Sequence, residues 1–128
     1  MQCHSLSLFQ VGDKSTNYKL RVGGYSGNGT DALKYSNDMP FSTKDSDNDV
    51  SSTHCAKFYT AGWWYKHCHY CNLNGRYTVG IVWFNQRFDE WVQMRATKML
   101  IQRVNATLLS EVSSDDDLTP TPPMGDDI

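Results

Sequence analysis

Apolar and polar positions alternate over Tyr18-Lys19-Leu20-Arg21-Val22, a pattern that predicts a half-buried strand. Gly23-Gly24 is expected to end it, and Ser26-Gly27-Asn28-Gly29 to turn, because Gly and Asn accept positive φ. Asp31–Tyr35 reads as one helical turn. Tyr77–Phe84 (YTVGIVWF) is β-branched and aromatic and predicts a second strand, with Gly80 as a bulge. Over Trp91–Ile101 two patterns compete: Val92, Ala96 and Met99 share a helical face, yet alternation also holds in part. The stretch Phe41–Gly75 follows neither period and is full of Gly, Ser, Asn and Asp. It is expected to be an ordered loop region held by a cross-link or a bound cation rather than by hydrogen-bonded ladders.

Composition sharpens this picture. A chain of 128 residues has room for one domain, and 39% hydrophobic residues is thin for a well-buried core. Of 16 aromatic residues, 11 lie between Phe58 and Trp91, so that segment must supply most of the core. From Glu111 onward there are six acids and no Lys or Arg, together with three of the four prolines. Residues 104–128 are therefore expected to form a disordered acidic tail after a domain at 1–103. The remaining twelve basic and eight acidic residues give 1–110 a charge of +4 without a basic run, which speaks against nucleic acid as a partner. No run approaches the roughly 20 apolar residues of a membrane span. Asn28-Gly29-Thr30 and Asn105-Ala106-Thr107 are glycosylation sequons, making Asn28 and Asn105 candidate acceptors. Met1–Gln10 lacks the basic start and apolar stretch of a signal peptide, and His4 within it suggests no role.

Two groups of residues carry chemistry. Asp45, Asp47 and Asp49 alternate, and their carboxylates converge only if the backbone curls around a common point. Such a curl suits Ca2+, which takes six to eight oxygens at about 2.3–2.6 Å. The EF-hand pattern fails, because Val50 and Ala56 stand where Gly and Glu belong, so carbonyls would have to supply the rest. The second group is Cys55, Cys68 and Cys71 with His54, His67 and His69. Spacing alone leaves two outcomes open: a Cys55–Cys68 disulfide around Trp63-Trp64, or an intracellular zinc module using Cys55, Cys68, Cys71 and His54. No nucleophile elbow, deaminase signature or other catalytic motif is present, and no enzyme activity is expected. Trp63 and Trp64 read as core rather than as a sugar platform.

FSTKDSDNDVSSTHCAKFYTAGWWYKHCHYCNLNGRY resembles the signature of the fibrinogen C-terminal domain, found in fibrinogen chains, ficolins, tachylectins, angiopoietins and tenascins. NYKLRVGGYSGNGTDAL upstream and GIVWF and WVQMRATKMLI downstream extend the resemblance from about Ser7 to Gln102. It implies an α+β fold, loop-rich, with short antiparallel strands and few short helices. It also implies a Cys55–Cys68 disulfide, a strand at Trp91–Ile101, and a cis peptide at His67–Cys68. Calcium would be held by the Asp47 and Asp49 carboxylates and the Ser51 and Thr53 carbonyls, with Asp45 nearby. The ligand site carried over from lectin members is His67, Cys68 and His69. The function implied is a secreted recognition module for acetylated glycans or a protein ligand. A matrix or signalling domain without sugar binding is the alternative.

Three departures from the family pattern stand out. The family's N-terminal half is absent, so the chain is expected to be a piece of a longer secreted protein, poorly stable alone, with uncovered strand edges. Any oligomer would form through the missing upstream region. NLNGRY runs almost directly into GIVWF, shortening a loop that supplies pocket wall in the family. Cys3 and Cys71 have no family partners.

Overall fold

Strand alternation begins earlier than Tyr18 and runs past the glycines. In the computed structural model, which describes residues 3–100, His4–Val11 (β1) and Leu20–Gly27 (β2) pair antiparallel, His4 opposite Gly27 and Val11 opposite Leu20. The Ser5-Leu6-Ser7-Leu8 alternation is the signal for β1. Between the strands Asp13 caps a short 3-10 turn, Lys14–Thr16, its carboxylate accepting from the Ser15 N–H at 3.0 Å. Asn17 and Tyr18 follow at φ 51 and 56, so Tyr18 belongs to the turn and not to the strand. Nor do the glycines end β2. Gly24 is accommodated at φ 61 against Ser7, where a side chain would collide.

Leu20 is fully buried and anchors the ribbon: its N–H donates to Met39 O at 3.0 Å, and its carbonyl accepts from the Asp38 N–H at 2.8 Å. The helical turn expected at Asp31–Tyr35 forms slightly later, as a 3-10 turn at Leu33–Ser36, with the Asp31 carboxylate accepting from the Lys34 N–H at 3.0 Å. Leu8, Phe9 and Val11 of β1 are exposed, since a two-stranded ribbon has little to bury them against.

A second antiparallel sheet has the order Cys71–Asn72 (β3), Val82–Asn85 (β4), Glu90–Gln93 (β5). Trp83 lies opposite both Cys71 and Val92. The strand expected over Tyr77–Phe84 is half right. Tyr77–Gly80 is a turn closed by the Gly80 N–H on Arg76 O at 2.7 Å. Gly80 is not a bulge but a point of close approach, since a Cβ on Gly75 or Gly80 would strike backbone of the other end of the turn. The strand expected over Trp91–Ile101 stops at Gln93: the Met94 N–H still donates to Ile81 O at 2.8 Å, but among the described residues no ladder continues through residues 95–100. Ile101, the expected domain boundary, the acidic tail and Asn105 lie outside the described residues.

Every element above belongs to one compact unit, Met1–Thr97. Its core gathers Leu20, Leu33, Cys55, Trp63, Tyr65, Cys71 and Trp83 around the single α-helix, Cys55–Phe58 (α1). Short antiparallel strands, one short helix and long ordered loops make the α+β fold expected. Trp83 locks the two sheets' surroundings together: its indole N–H donates to Thr30 O at 2.9 Å, while Thr30 Oγ1 donates to Phe84 O and accepts from the Gln86 N–H, both at 3.1 Å. His4, assigned no role above, stacks on Trp83 at 4.6 Å between ring centroids and bonds the Tyr25 hydroxyl through Nδ1 at 2.5 Å. Burial holds its pKa below the usual histidine range.

Candidate functional site

The acidic loop curls through a series of side-chain-to-backbone bonds two residues long. Asp47 Oδ1 accepts from the Asp49 N–H at 3.4 Å, Asp49 Oδ1 from the Ser51 N–H at 2.8 Å, and Ser51 Oγ from the Thr53 N–H at 3.1 Å. Asp49 Oδ2 reaches further and accepts from the Cys55 N–H at 3.0 Å, tying the loop to the first residue of α1. Asn48 fixes the entry, donating from Nδ2 to Phe41 O at 2.8 Å and from its N–H to Ser42 Oγ at 2.9 Å. His54 covers one flank, with Nε2 on Thr43 O at 3.0 Å and Nδ1 4.0 Å from the Asp47 carboxylate. Asp45 turns outward; its carboxylate accepts from Thr43 Oγ1 at 2.7 Å, which lowers its pKa. Among the described residues no backbone N–H donates to the carbonyls of Ser51 or Thr53. Two carboxylates and two carbonyls that accept no backbone N–H thus share one curled segment, an all-oxygen donor set of the kind Ca2+ takes.

Cys55 and Cys68 are bridged, with Cα atoms 5.3 Å apart. The bridge consumes two of the four ligands that a zinc module would need, so that alternative fails. It holds the loop carrying His67, Cys68 and His69 against α1. The Lys66 N–H donates to Cys68 O at 2.9 Å, and the Lys66 carbonyl accepts from the Val50 N–H at 3.3 Å, linking this loop to the acidic one. The cis peptide implied at His67–Cys68 is absent: the described residues contain no cis bond, and Cys68 adopts φ 60 instead. The chain reverses here through a left-handed residue. The N–H groups of His67, Cys68 and His69 meet no acceptor among the described residues.

The three predicted ligand residues diverge in environment. His67 is exposed, Cys68 half-buried and His69 buried. His69 sits among aromatic rings: Tyr59 at 4.4 Å, Trp91 at 5.6 Å, both edge-on, and Tyr65 at 5.9 Å. Among the described residues neither of its ring nitrogens has a hydrogen-bond partner. Burial away from water disfavours the imidazolium and drives its pKa down to about 4, so the ring is neutral at physiological pH. Tyr65 beneath it is fully buried, donating to Ala61 O at 3.0 Å and accepting from Asn72 Nδ2 at 3.3 Å; desolvation raises its pKa to about 12.

Sequence reasoning did not find the Tyr59, Tyr65 and Trp91 cage; the density of aromatics from Phe58 to Trp91 was its only signal. Trp63 is buried in the core as expected, and Trp64 packs on it while its indole N–H donates to Tyr18 O at 2.8 Å. Cys71 is a free thiol in the core, its pKa pushed up by burial, and Cys3 is free and exposed. Asn28 is exposed at the end of β2, where its side chain accepts from the Cys3 N–H at 3.3 Å.

The sequence model for "Fibrinogen beta and gamma chains, C-terminal globular domain" matches residues 3–108. Over 98 residues the chain is 44% identical to protein scabrous of Drosophila melanogaster, covering 77% of this chain and 12% of scabrous. Over 88 residues it is 49% identical to tenascin-R of Gallus gallus, covering 65% of this chain and 6% of tenascin-R. Among solved structures it is similar to the fibrinogen-like globe domain of human ANGPTL6, with TM-score 0.59 and 40% identity over 62% of this chain and 36% of that one. It is also similar to lamprey fibrin D-dimer complexed with the peptide ligand Gly-His-Arg-Pro-amide, with TM-score 0.52 and 31% identity over 56% of this chain and 27% of that one. The chain therefore spans a small fraction of the length of these relatives and about a third of the solved domains.

Proposed function

This chain belongs to the fibrinogen C-terminal globular domain family, and on that premise we propose that it is a non-enzymatic, extracellular recognition module, stabilised by Ca2+, with its ligand pocket at His69. The observation that carries the reading is the buried, neutral imidazole of His69 with both nitrogens unpartnered. A buried polar group without a partner costs about 1–3 kcal/mol, and a ligand that supplies the partner recovers it. A neutral imidazole offers one donor and one acceptor, which match the carbonyl and N–H of an acetamido group or of a peptide bond. Tyr59 and Trp91, which pack edge-on against the ring, are themselves part-exposed, and a rotation of either would open His69 to such a group. No bond is made or broken in this chemistry.

Ca2+ fits the acidic loop. Asp47 and Asp49 would give carboxylate oxygens and Ser51 and Thr53 carbonyls, and the ion would neutralise two neighbouring negative charges. Asp49 already bridges the Ser51 and Cys55 N–H groups, so holding this loop also holds α1 and the disulfide behind His69. A protein ligand without sugar binding is a second reading, favoured by one observation. The short segment before β4 turns Tyr77 outward, 76% exposed, and no aromatic ring from it joins the His69 cage.

Retention on immobilised N-acetylglucosamine, released by EDTA and lost in His69→Ala, is the expected result for the glycan reading. Absence of retention, with a His69-dependent peptide or protein ligand captured instead, selects the second. The calcium assignment is tested by thermal unfolding: millimolar Ca2+ should raise the midpoint of the wild type and leave Asp47→Ala unchanged.

A further inference from the structure

We propose that a second site, the open cleft between the Leu33–Ser36 turn, the loop carrying Lys66 and the turn after β4, binds the anionic group of an acidic saccharide. The cleft has a volume of about 580 Å³ and is lined by Asp31, Lys34, Tyr35, Asn37, Lys66 and Gln86. Its position comes from three parts of the chain converging. Lys34 and Tyr35 project from the 3-10 turn, Lys66 from the disulfide loop, and Gln86 from the segment that Thr30 holds through the Gln86 N–H.

Charge is the leading feature. Two ammonium groups share the cleft, and neither is ion-paired: among the described residues the ion pairs are Arg21–Asp38 and His54–Asp47. Asp31 is the one acid in the lining, and one of its oxygens is committed to the Lys34 N–H. Two unpaired cations against one partly engaged carboxylate leave a net attraction for an oxyanion. Lys66 is held in place at its backbone, by Cys68 O on one side and the Val50 N–H on the other. Its ammonium lies 5.3 Å from the centroid of Tyr35, and Tyr35 in turn stacks on Tyr70 at 4.1 Å and 14°. The cation is thus seated on an aromatic pair rather than free in solvent.

The neutral lining points to a sugar rather than to another anion carrier. The Gln86 amide and the free oxygen of Asp31 offer donors and acceptors for hydroxyl groups, while the Asn37 amide is already engaged by the Val22 N–H and by Asp38. Tyr70 continues through Phe84, at 5.1 Å, to Trp91, at a further 5.0 Å, a surface of part-exposed rings on which a saccharide's C–H faces can lie. Nucleic acid would call for an extended basic track, and the chain has no basic run. This site does not require that His69 bind anything.

The test uses the full chain and three polysaccharide probes: heparin oligosaccharides (sulfate and carboxylate), hyaluronan oligosaccharides (carboxylate alone) and dextran (neutral), with affinity measured at low and physiological salt. Binding to heparin, and none to dextran, is expected, weakening as salt rises. Equal binding of hyaluronan assigns the anchor to a carboxylate; binding of heparin alone assigns it to sulfate. Lys34→Ala/Lys66→Ala should weaken binding by roughly tenfold or more. Lys14→Ala, an exposed lysine in the β1–β2 connection, should stay within about twofold. Lys66→Gln, which keeps most of the stem, guards against loss through misfolding, and unchanged thermal midpoints confirm it. The double variant should still give the N-acetylglucosamine or peptide result of the wild type, which separates this site from the His69 pocket. Failure to bind either acidic probe, equal binding of dextran, or an equal effect of Lys14→Ala overturns the proposal.

Discussion

Reducing the Cys55–Cys68 bridge should cost the folded unit about 3 kcal/mol. The bridged residues are 13 apart, and closing a loop of that length removes about 3 kcal/mol of chain entropy from the unfolded state. Besides the sulfurs, the His67–Cys68 reversal is tied to α1 and the acidic loop only by the Val50 N–H on Lys66 O among the backbone bonds and by the Tyr59–His69 ring contact, which offset little of the loss. For a small domain with a thin core this is a large share of a total stability of about 5–15 kcal/mol. The equilibrium between folded and unfolded chain should move by about a hundredfold. Urea unfolding followed by the fluorescence of buried Trp63 and Trp83, with and without reductant, measures the shift. Cys55→Ala/Cys68→Ala without reductant should reproduce the reduced wild type. Thiol counting provides the check on state: Cys3 alone should react in the native protein, and Cys3 with Cys71 after unfolding without reductant. Four reactive thiols, or a stability change under about 1 kcal/mol, would refute the reasoning.

Tyr65→Phe keeps the ring but strands Ala61 O and Asn72 Nδ2 in the core, and should destabilise by about 1–3 kcal/mol in the same urea assay. His69 has a folded pKa of about 4 against an ordinary 6.5, so its burial favours the neutral form. Its contribution is therefore complete above pH 6.5 and is lost as pH falls toward about 4, where the unfolded chain takes up the proton first. The thermal midpoint of His69→Phe should accordingly fall less than the wild type's over that window; parallel curves would exclude the mechanism. Gly75→Ala places a methyl against the backbone of Gly80, and a loss of about 1–3 kcal/mol is expected by thermal melting.

Much of this architecture was written in local pattern. The Leu20–Val22 alternation, the Asp31 turn and the VWF strand all appear near where periodicity put them. Errors occurred where tertiary context overrode propensity. Tyr77 and Val79 have strand-forming side chains, yet both point to solvent, because Gly75 and Gly80 bring the backbone together into a turn. Pairing along β5 ends with the Met94 N–H on Ile81 O, where the Tyr77–Gly80 turn ends the neighbouring segment, and no reading of residues 94–100 alone reveals that. For Cys55 and Cys68, spacing permitted zinc or a disulfide, and only the resemblance chose correctly. The same resemblance misled at His67–Cys68, where the peptide is trans. The aromatic cage around His69 and the lysine cleft were out of reach, since Tyr59, Trp91, Lys34 and Lys66 are brought together by contacts far apart in sequence.

Thr30 offers a last consequence. Its hydroxyl, which completes the Asn28-Gly29-Thr30 sequon, is occupied by Phe84 O and the Gln86 N–H, and its carbonyl by Trp83. A transferase that reads this hydroxyl must reach it before β4, more than fifty residues downstream, emerges and docks. Were a glycan attached at Asn28, it would have to be added before β4 docks on Thr30, so its occupancy would follow translation speed rather than exposure of the finished surface.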